Sequence, residues 1–443
     1  MAIHPACTIL CAVGDQRVVG WNGRVFVSDA ISPDNGSHFT PCRPMSGPRG
    51  NPGIGFSASG IPDTYDVSEV WQHIPGSPVV FRGQATPATR HADPGPDDTL
   101  GSAWFIHTQD AMGVWSGPVG SGTAHNGGVE LDTPETAAFY VPHLMTVGDA
   151  NPQVFACAGG RTQDTRARTT WLLEAAAPNA ARGTAGSATR IQDLLYGDRY
   201  FRPPPPSPLG GPPPRNPPAP PVAGAGDSTP WGDITHCAMR QIGDDLTTRQ
   251  LHLIVVSNGH LFHSVASDWG TAHDGNGVAF SRFRAVSPWV DVEQATGVRF
   301  GPVSSAALVA QPNGVSIFFT AAAGGKYRIW RLVQMLPSGT WRPPQDVLAL
   351  SGDAPDGTVY GFQVAAGRCP RYGAAAWDES DLETVLALWG GPTQNQVLVI
   401  RVGTDGRFSR WQSVPPGQMS GEFYLRQVSV TTRPFGDDGA AFP

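Results

Sequence analysis

Six stretches of this chain follow one pattern: an apolar strand, a short turn of Gly, Asn or Asp, a second strand, then a loop and a third strand that often carries Trp or Phe. The first strands read CTILCAVGDQ, SAWFIHTQDAMG, PQVFACAGGRTQD, LHLIVVSNG, VSIFFTAAAGG and TVLALWGGPTQN. Their partners include RVFVSDA, RTTWLLEA, HLFHSVA, YRIWRLV and VLVIRVG. Several of these strands are apolar without a break, the pattern of a sheet covered on both faces, and the rest alternate with period two. A hairpin of this kind is not stable alone and needs neighbours on both sides.

With Thr8, Ala103, Gln153, Leu251, Val315 and Thr384 as markers, the separations are 95, 50, 98, 64 and 69 residues, and a further 67 lead from Thr384 through the end of the chain back to Thr8. The proline-rich segment accounts for the excess in the 98-residue interval, and the polar stretch RGQATPATRHADPGPDDTLG for that in the 95-residue one. The unit is near 60 to 70 residues and recurs about six times. All-β units at a near-fixed period are expected to stack into a β-propeller, whose four-stranded blades bury one another's faces. The last segment, EFYLRQVSVTTRPF, is a strand with no following hairpin, and the first hairpin has no strand before it. The expectation is an all-β propeller of six blades, closed by residues 420–435 completing the N-terminal blade. Seven blades are the alternative, should Gly47–Gly101 hide a degenerate one.

Composition agrees with short strands and many turns. Gly (54) and Pro (43) exceed a fifth of the 443 residues, only 15% are charged, and 13 Trp with 19 Phe supply packing bulk. A net charge of −7 gives no general phosphate-binding surface, so no nucleic acid is expected as a partner. No window approaches a membrane span, and the N-terminus MAIHPACTILCAVGDQ lacks the basic start of a signal peptide. Either a cytoplasmic location or export by a route without a cleaved leader follows. Six scattered cysteines, without a CxxC or a histidine cluster, read as buried free thiols, and no metal or cofactor is expected.

The one large interruption, RPPPPSPLGGPPPRNPPAPPVAGAG, forces polyproline II geometry and removes backbone donors. Residues 202–227 read as an extended linker or insertion between a first part (1–201, about three blades) and the remaining blades (228–443).

GTAHNGGVEL at Gly122 and GTAHDGNGVAF at Gly270 place near-identical loops 148 residues apart. Their position, after a second hairpin strand, makes them connections between outer strands of a repeated unit rather than a ligand site built on His125 and His273. In VFVSDAISPDNGSHFTP, the residues Ser32, Asp34, Gly36 and Phe39 resemble the Asp box of sialidase-like propellers. That resemblance implies a blade-stabilising turn: a carboxylate accepting backbone N–H groups, a glycine free to take positive φ, and an aromatic packed between strands. It informs on fold and not on activity.

The chain outside the proline segment also resembles the β-propeller lectins of bacteria and fungi, on motifs such as TDGRFSRWQSV (Thr404–Val414) following an apolar hairpin. The resemblance implies sugar binding in pockets between blades, where an indole stacks on a pyranose face and polar side chains bond its hydroxyls. Trp171, Trp330, Trp389 and Trp411 are the candidate stacking residues. Arg328 and Arg401, on neighbouring strands, are the candidate donors. Each tryptophan is also what a propeller needs for packing alone, and His107 and His263 read as structural histidines within strands. Several weak sites on one rigid ring would gain by avidity.

Two other functions stay open: a non-catalytic propeller serving a larger protein assembly, and a sialidase-like glycoside hydrolase. No catalytic residue is assigned, because no triad, nucleophile elbow, metalloprotease motif or phosphate loop can be assembled.

Overall fold

The computed structural model describes strands and turns within residues 3–44, 65–190 and 234–436, and side chains within 7–42 and 236–430, with stretches inside each range left out. The proline segment 202–227 lies outside the described residues.

Strands β1 (Ile3–Asp15), β2 (Arg24–Asp29) and β3 (Arg43–Pro44) belong to sheet 1. Sheet 2 holds β4 (Tyr65–Gln72), β5 (Val79–Ala85), β6 (Ala103–Gln109) and β7 (Trp115–Val119), with β8 (Val129–Glu130) also on β6. Sheet 3 follows with β9 (Tyr140–Val147), β10 (Gln153–Arg161), β11 (Arg168–Ala175) and β12 (Ala185–Arg190). Sheet 4 is β13 (Ile234–Ile242), β14 (Gln250–Ser257), β15 (His260–His273) and β16 (Ala279–Val286), and β17 (Val290–Asp291) adds to β15 before the short helix α1 (Val292–Thr296). Sheet 5 repeats that plan: β18 (Val303–Gln311), β19 (Gly314–Ala323), β20 (Lys326–Met335), β21 (Thr340–Trp341), then β22 (Gln345–Asp346) on β20 and helix α2 (Val347–Leu350). Sheet 6 is β23 (Phe362–Pro370), β24 (Leu382–Gly390), β25 (Val397–Val402) and β26 (Gln412–Val414). The last strand, β27 (Phe423–Gly436), returns to sheet 1 and pairs with β1 from Ile3 opposite Gly436 to Asp15 opposite Phe423.

The described chain is therefore all-β, in antiparallel sheets with few helical turns. No described helix is long and apolar enough to cross a membrane. The leading strands of successive sheets touch in the order β27, β4, β9, β13, β18, β23, and β23 touches β27. Side chains tie these strands together where backbone ladders cannot: His236 on β13 reaches the Ala306 carbonyl, Arg240 Nε donates to the Leu308 carbonyl at 3.3 Å, and the Val364 amide donates to Ser305 Oγ at 3.1 Å.

Both faces of sheets 4, 5 and 6 are buried, which explains their unbroken apolar runs. In β19, Ile317 and Phe319 face sheet 4, and Phe318 between them faces sheet 6. Each is fully buried, and burial of a side chain this size contributes roughly 1.5–3 kcal/mol. Three apolar layers result: one between sheets 4 and 5 around Ile254, Phe300 and Leu332; one between sheets 5 and 6 around Phe318, Leu386 and Ile400; and one between sheets 6 and 1 around Ile9, Phe26 and Val399.

Two expectations are corrected. SAWFIHTQ is the third strand of its sheet, not the first of a hairpin, because the interval thought to be surplus contributes β4 and β5 to the same sheet. With Val79 on β5 as the marker, the uneven intervals become 71 and 74 residues. The second correction concerns cysteine: Cys7 on β1 and Cys369 on β23 form a disulfide across the layer between sheets 1 and 6, 362 residues apart in sequence. Cys11 and Cys42 in the same layer are free and buried.

Candidate functional site between the sheets

The third strand of each well-described sheet breaks its apolar run at one corresponding position. His263 on β15 pairs with Ile254, Arg331 on β20 with Phe318, and Arg401 on β25 with Val385. Ile254, Phe318 and Val385 each face the sheet that follows, so the polar residue opposite them points into the same layer. His263 and Arg331 are 2% and 7% exposed, and the Arg401 side chain 11%. Burying a polar group is costly without partners, so what each one bonds is informative.

Arg401 has a carboxylate: its Nη1 donates to Glu383 Oε2 at 3.2 Å. His263 has a second histidine, with its Nε2 3.0 Å from Nδ1 of the fully buried His252, whose Nε2 lies 3.3 Å from Gln250 Oε1. Burial pushes the His252 pKa down to about 4, and burial with the neighbouring His252 takes His263 well below the ordinary imidazole range. Arg331 differs from both. Its Nη1 donates to the neutral Gln345 Oε1 at 3.1 Å and its guanidinium lies 5.9 Å from the Phe318 ring centroid, while its buried Nε, like that of Arg401, meets no acceptor among the described residues. Burial, then the like charge of Arg342, lower its pKa to about 10, which still leaves it cationic at neutral pH.

An aromatic from the following sheet sits in each layer. Trp341 of sheet 5 packs edge-on against His263, centroids 5.4 Å apart. Trp411 of sheet 6 lies in the layer that Arg331 faces and donates its indole N–H to Ser351 Oγ at 2.8 Å, just past α2. Phe39 of the Asp-box match is buried in the layer that Arg401 faces, whereas Ser32, Asp34 and Gly36 lie outside the described residues. Opposite Arg331, a Cβ on Gly406 would be 3.7 Å from its Nη1, which places the Asp405–Gly406 turn of sheet 6 against the guanidinium. That glycine has φ +82°, a conformation that side-chain-bearing residues rarely adopt.

The residues expected from sequence are distributed over different layers. Trp330 is packed between sheets 4 and 5, edge-on to Phe300, with its indole nitrogen buried and without a partner among the described residues. Arg328 lies two residues away on the same face, half-exposed, and ion-pairs with Asp346. Trp389, 5% exposed, and Arg401 share the layer between sheets 6 and 1. Trp411 stands in the layer between sheets 5 and 6. Arg328 and Arg401 thus occupy third strands of successive sheets but face different layers, and the fold does not bring them together. Trp171 lies on β11 opposite Ala158, and its side chain is outside the described residues, as are those of His107 and His125. The second GTAH motif closes β15, with His273 paired to Ala279 of β16.

No family model and no curated protein matches this chain. Among solved structures, the crystal structure of a "putative glycoside hydrolase from Bacteroides ovatus" is similar at 9% identity and a TM-score of 0.29, over 80% of this chain and 87% of that one. Likeness at that level carries no argument about fold or function, so the reading below rests on the residues of this chain.

Proposed function

We propose that this chain is a carbohydrate-binding, lectin-like β-propeller of six blades that holds glycans in the layers between blades. The propeller reading draws on the six sheets, on β1 and β27 sharing one sheet, and on the order in which the leading strands touch. The binding reading draws above all on one observation: Arg331, cationic, nine-tenths buried and short of acceptors, lies in a layer that also contains Gln345 and the indole of Trp411. Sugar sites combine an aromatic face with a few fixed hydrogen-bonding groups, and this layer supplies both. The disulfide Cys7–Cys369 favours an oxidising compartment, and with it the exported alternative.

The experiment is a glycan array on the purified full chain, followed by titration with the best ligand for wild type and Trp411→Ala. Binding that free sugar competes away, and that Trp411→Ala weakens, is the expected result. Absence of glycan binding together with a stoichiometric protein partner would replace this reading with that of an assembly component. Turnover of a fluorogenic glycoside would replace it with that of a hydrolase.

A further inference from the structure

The corresponding arginines of sheets 5 and 6 are compensated differently. Arg401 carries its own carboxylate, Glu383, across the strand pair. Arg331 is paired with a neutral amide, Gln345, held directly opposite it on β22. The acids on the adjoining elements are engaged elsewhere: Asp346 pairs with Arg328 and accepts the Leu348 and Ala349 amides, and Asp405 accepts the Arg407 amide and pairs with that side chain. Arg342 adds a second positive charge from the same sheet, close enough to oppose protonation of Arg331.

The geometry of the guanidinium narrows the ligand further. Gln345 occupies Nη1, and the edge formed by Nε and Nη2 makes no bond among the described residues; Arg401 also leaves its Nε unpartnered, but there Glu383 already meets the charge. That edge presents two parallel N–H groups, the arrangement that a carboxylate accepts side-on through both oxygens. A neutral hydroxyl satisfies only one donor and leaves the buried charge uncompensated.

Resting on the carbohydrate reading above, we propose that the layer between sheets 5 and 6 binds an acidic sugar, a hexuronic acid or a glycan that displays one. Its carboxylate meets the Nε–Nη2 edge of Arg331, and Arg342 adds long-range attraction. The layer between sheets 6 and 1, where Glu383 already neutralises Arg401, has no such preference.

The test titrates the full chain with galacturonic and glucuronic acid oligosaccharides and with their neutral galactose and glucose counterparts, at low and at physiological salt. Wild type is expected to bind an acidic oligosaccharide at least about tenfold more tightly than its neutral counterpart, since a charge-assisted bond lost from a buried group exceeds about 1.4 kcal/mol. Arg331→Gln is expected to abolish the preference, and Gln345→Glu, which supplies an internal carboxylate, to reverse it. Arg331→Lys, which keeps the charge but not the two-pronged edge, is expected to retain part of it and serves if Arg331→Gln does not fold. Neutral sugars bound as well as acidic ones in an Arg331-dependent way would overturn the acidic preference while leaving the lectin reading in place. An acidic preference indifferent to both Arg331→Gln and Gln345→Glu would overturn the site. Binding of no sugar of either kind would remove the carbohydrate reading and this inference with it.

Discussion

Acidification should destabilise this protein through the histidine pair between sheets 4 and 5. His252 Nε2 faces the Gln250 carbonyl oxygen and therefore carries the proton of that ring, leaving Nδ1 as acceptor for His263 Nε2–H. A proton added to His252 would go onto Nδ1 and set two N–H groups against each other at 3.0 Å, beneath the edge of Trp341. Burial also disfavours the charged ring, and it pushes the His252 pKa down to about 4. The unfolded chain has no such constraint and titrates at about 6.5. Between these two values the unfolded state binds a proton that the folded state refuses, so stability is highest above pH 6.5 and falls as pH drops toward 4. At 1.36 kcal/mol for each pH unit, His252 alone accounts for about 3 kcal/mol of that loss. His263 and His236, both lowered by burial, act in the same direction. Against a typical total of about 5–15 kcal/mol, this is a large share. The measurement is urea unfolding at steps from pH 7 to pH 4 for wild type and His252→Gln. The substitution costs stability at pH 7, but its pH slope in that window should be shallower by about 3 kcal/mol in total, while carboxylate titration is common to both proteins. Equal slopes for the two would refute the reasoning.

Three further outcomes follow from the geometry. Reducing Cys7–Cys369, or replacing Cys7 with Ser, releases a loop of 362 residues whose closure entropy is worth up to about 6 kcal/mol, and the denaturant midpoint should fall in dithiothreitol for wild type but not for the variant. Gly367→Ala on β23 drives a Cβ into the Val430 carbonyl of β27, where leading strands of two sheets meet backbone to backbone, and should lower stability by about 1–3 kcal/mol in thermal melts. Asp291→Ala removes the acceptor of the Glu293 and Gln294 amides that starts α1 and should cost about 1 kcal/mol, measured by urea titration at neutral pH.

The apolar hairpins were legible in the sequence because burial on both faces leaves no polar alternation to obscure them. LHLIVVS and GVSIFFT are buried throughout, and no helix of ordinary amphipathic character has that composition. Phase was harder to read. SAWFIHTQ looks like any second strand, and only the weaker YDVSEVWQ and VVFRGQA ahead of it make it a third. The disulfide was not legible, since nothing local marks two cysteines 362 residues apart as neighbours across a layer.

Which residues of the candidate site share a layer was not legible, and the reason lies in how a twice-covered strand distributes its side chains. Trp330 and Arg331 are adjacent in sequence, yet they serve different layers, so a tryptophan and an arginine close together along the chain are poor evidence of a shared pocket. The informative comparison sets the third strands beside one another. HLFH ends at His263, KYRIWR at Arg331 and VLVIR at Arg401, each a polar residue after an apolar pair; the first two are followed 78 and 80 residues later by Trp341 and Trp411 of the next sheet, and the aromatic in the layer of Arg401 is Phe39, near the start of the chain. Aligned this way, Arg331 stands out and Arg328 does not, since the half-exposed ion pair of Arg328 with Asp346 is worth little in water. A buried cation that keeps a neutral partner where its counterpart keeps an acid is harder to explain by packing, because a carboxylate at position 345 would have served stability better. If stability alone governed that position, Gln345→Glu should raise the midpoint of unfolding and cost nothing else. A stabilised protein with weakened acidic-ligand binding would separate the two demands on Arg331, and an unchanged midpoint would mean that its charge is already met from within the fold.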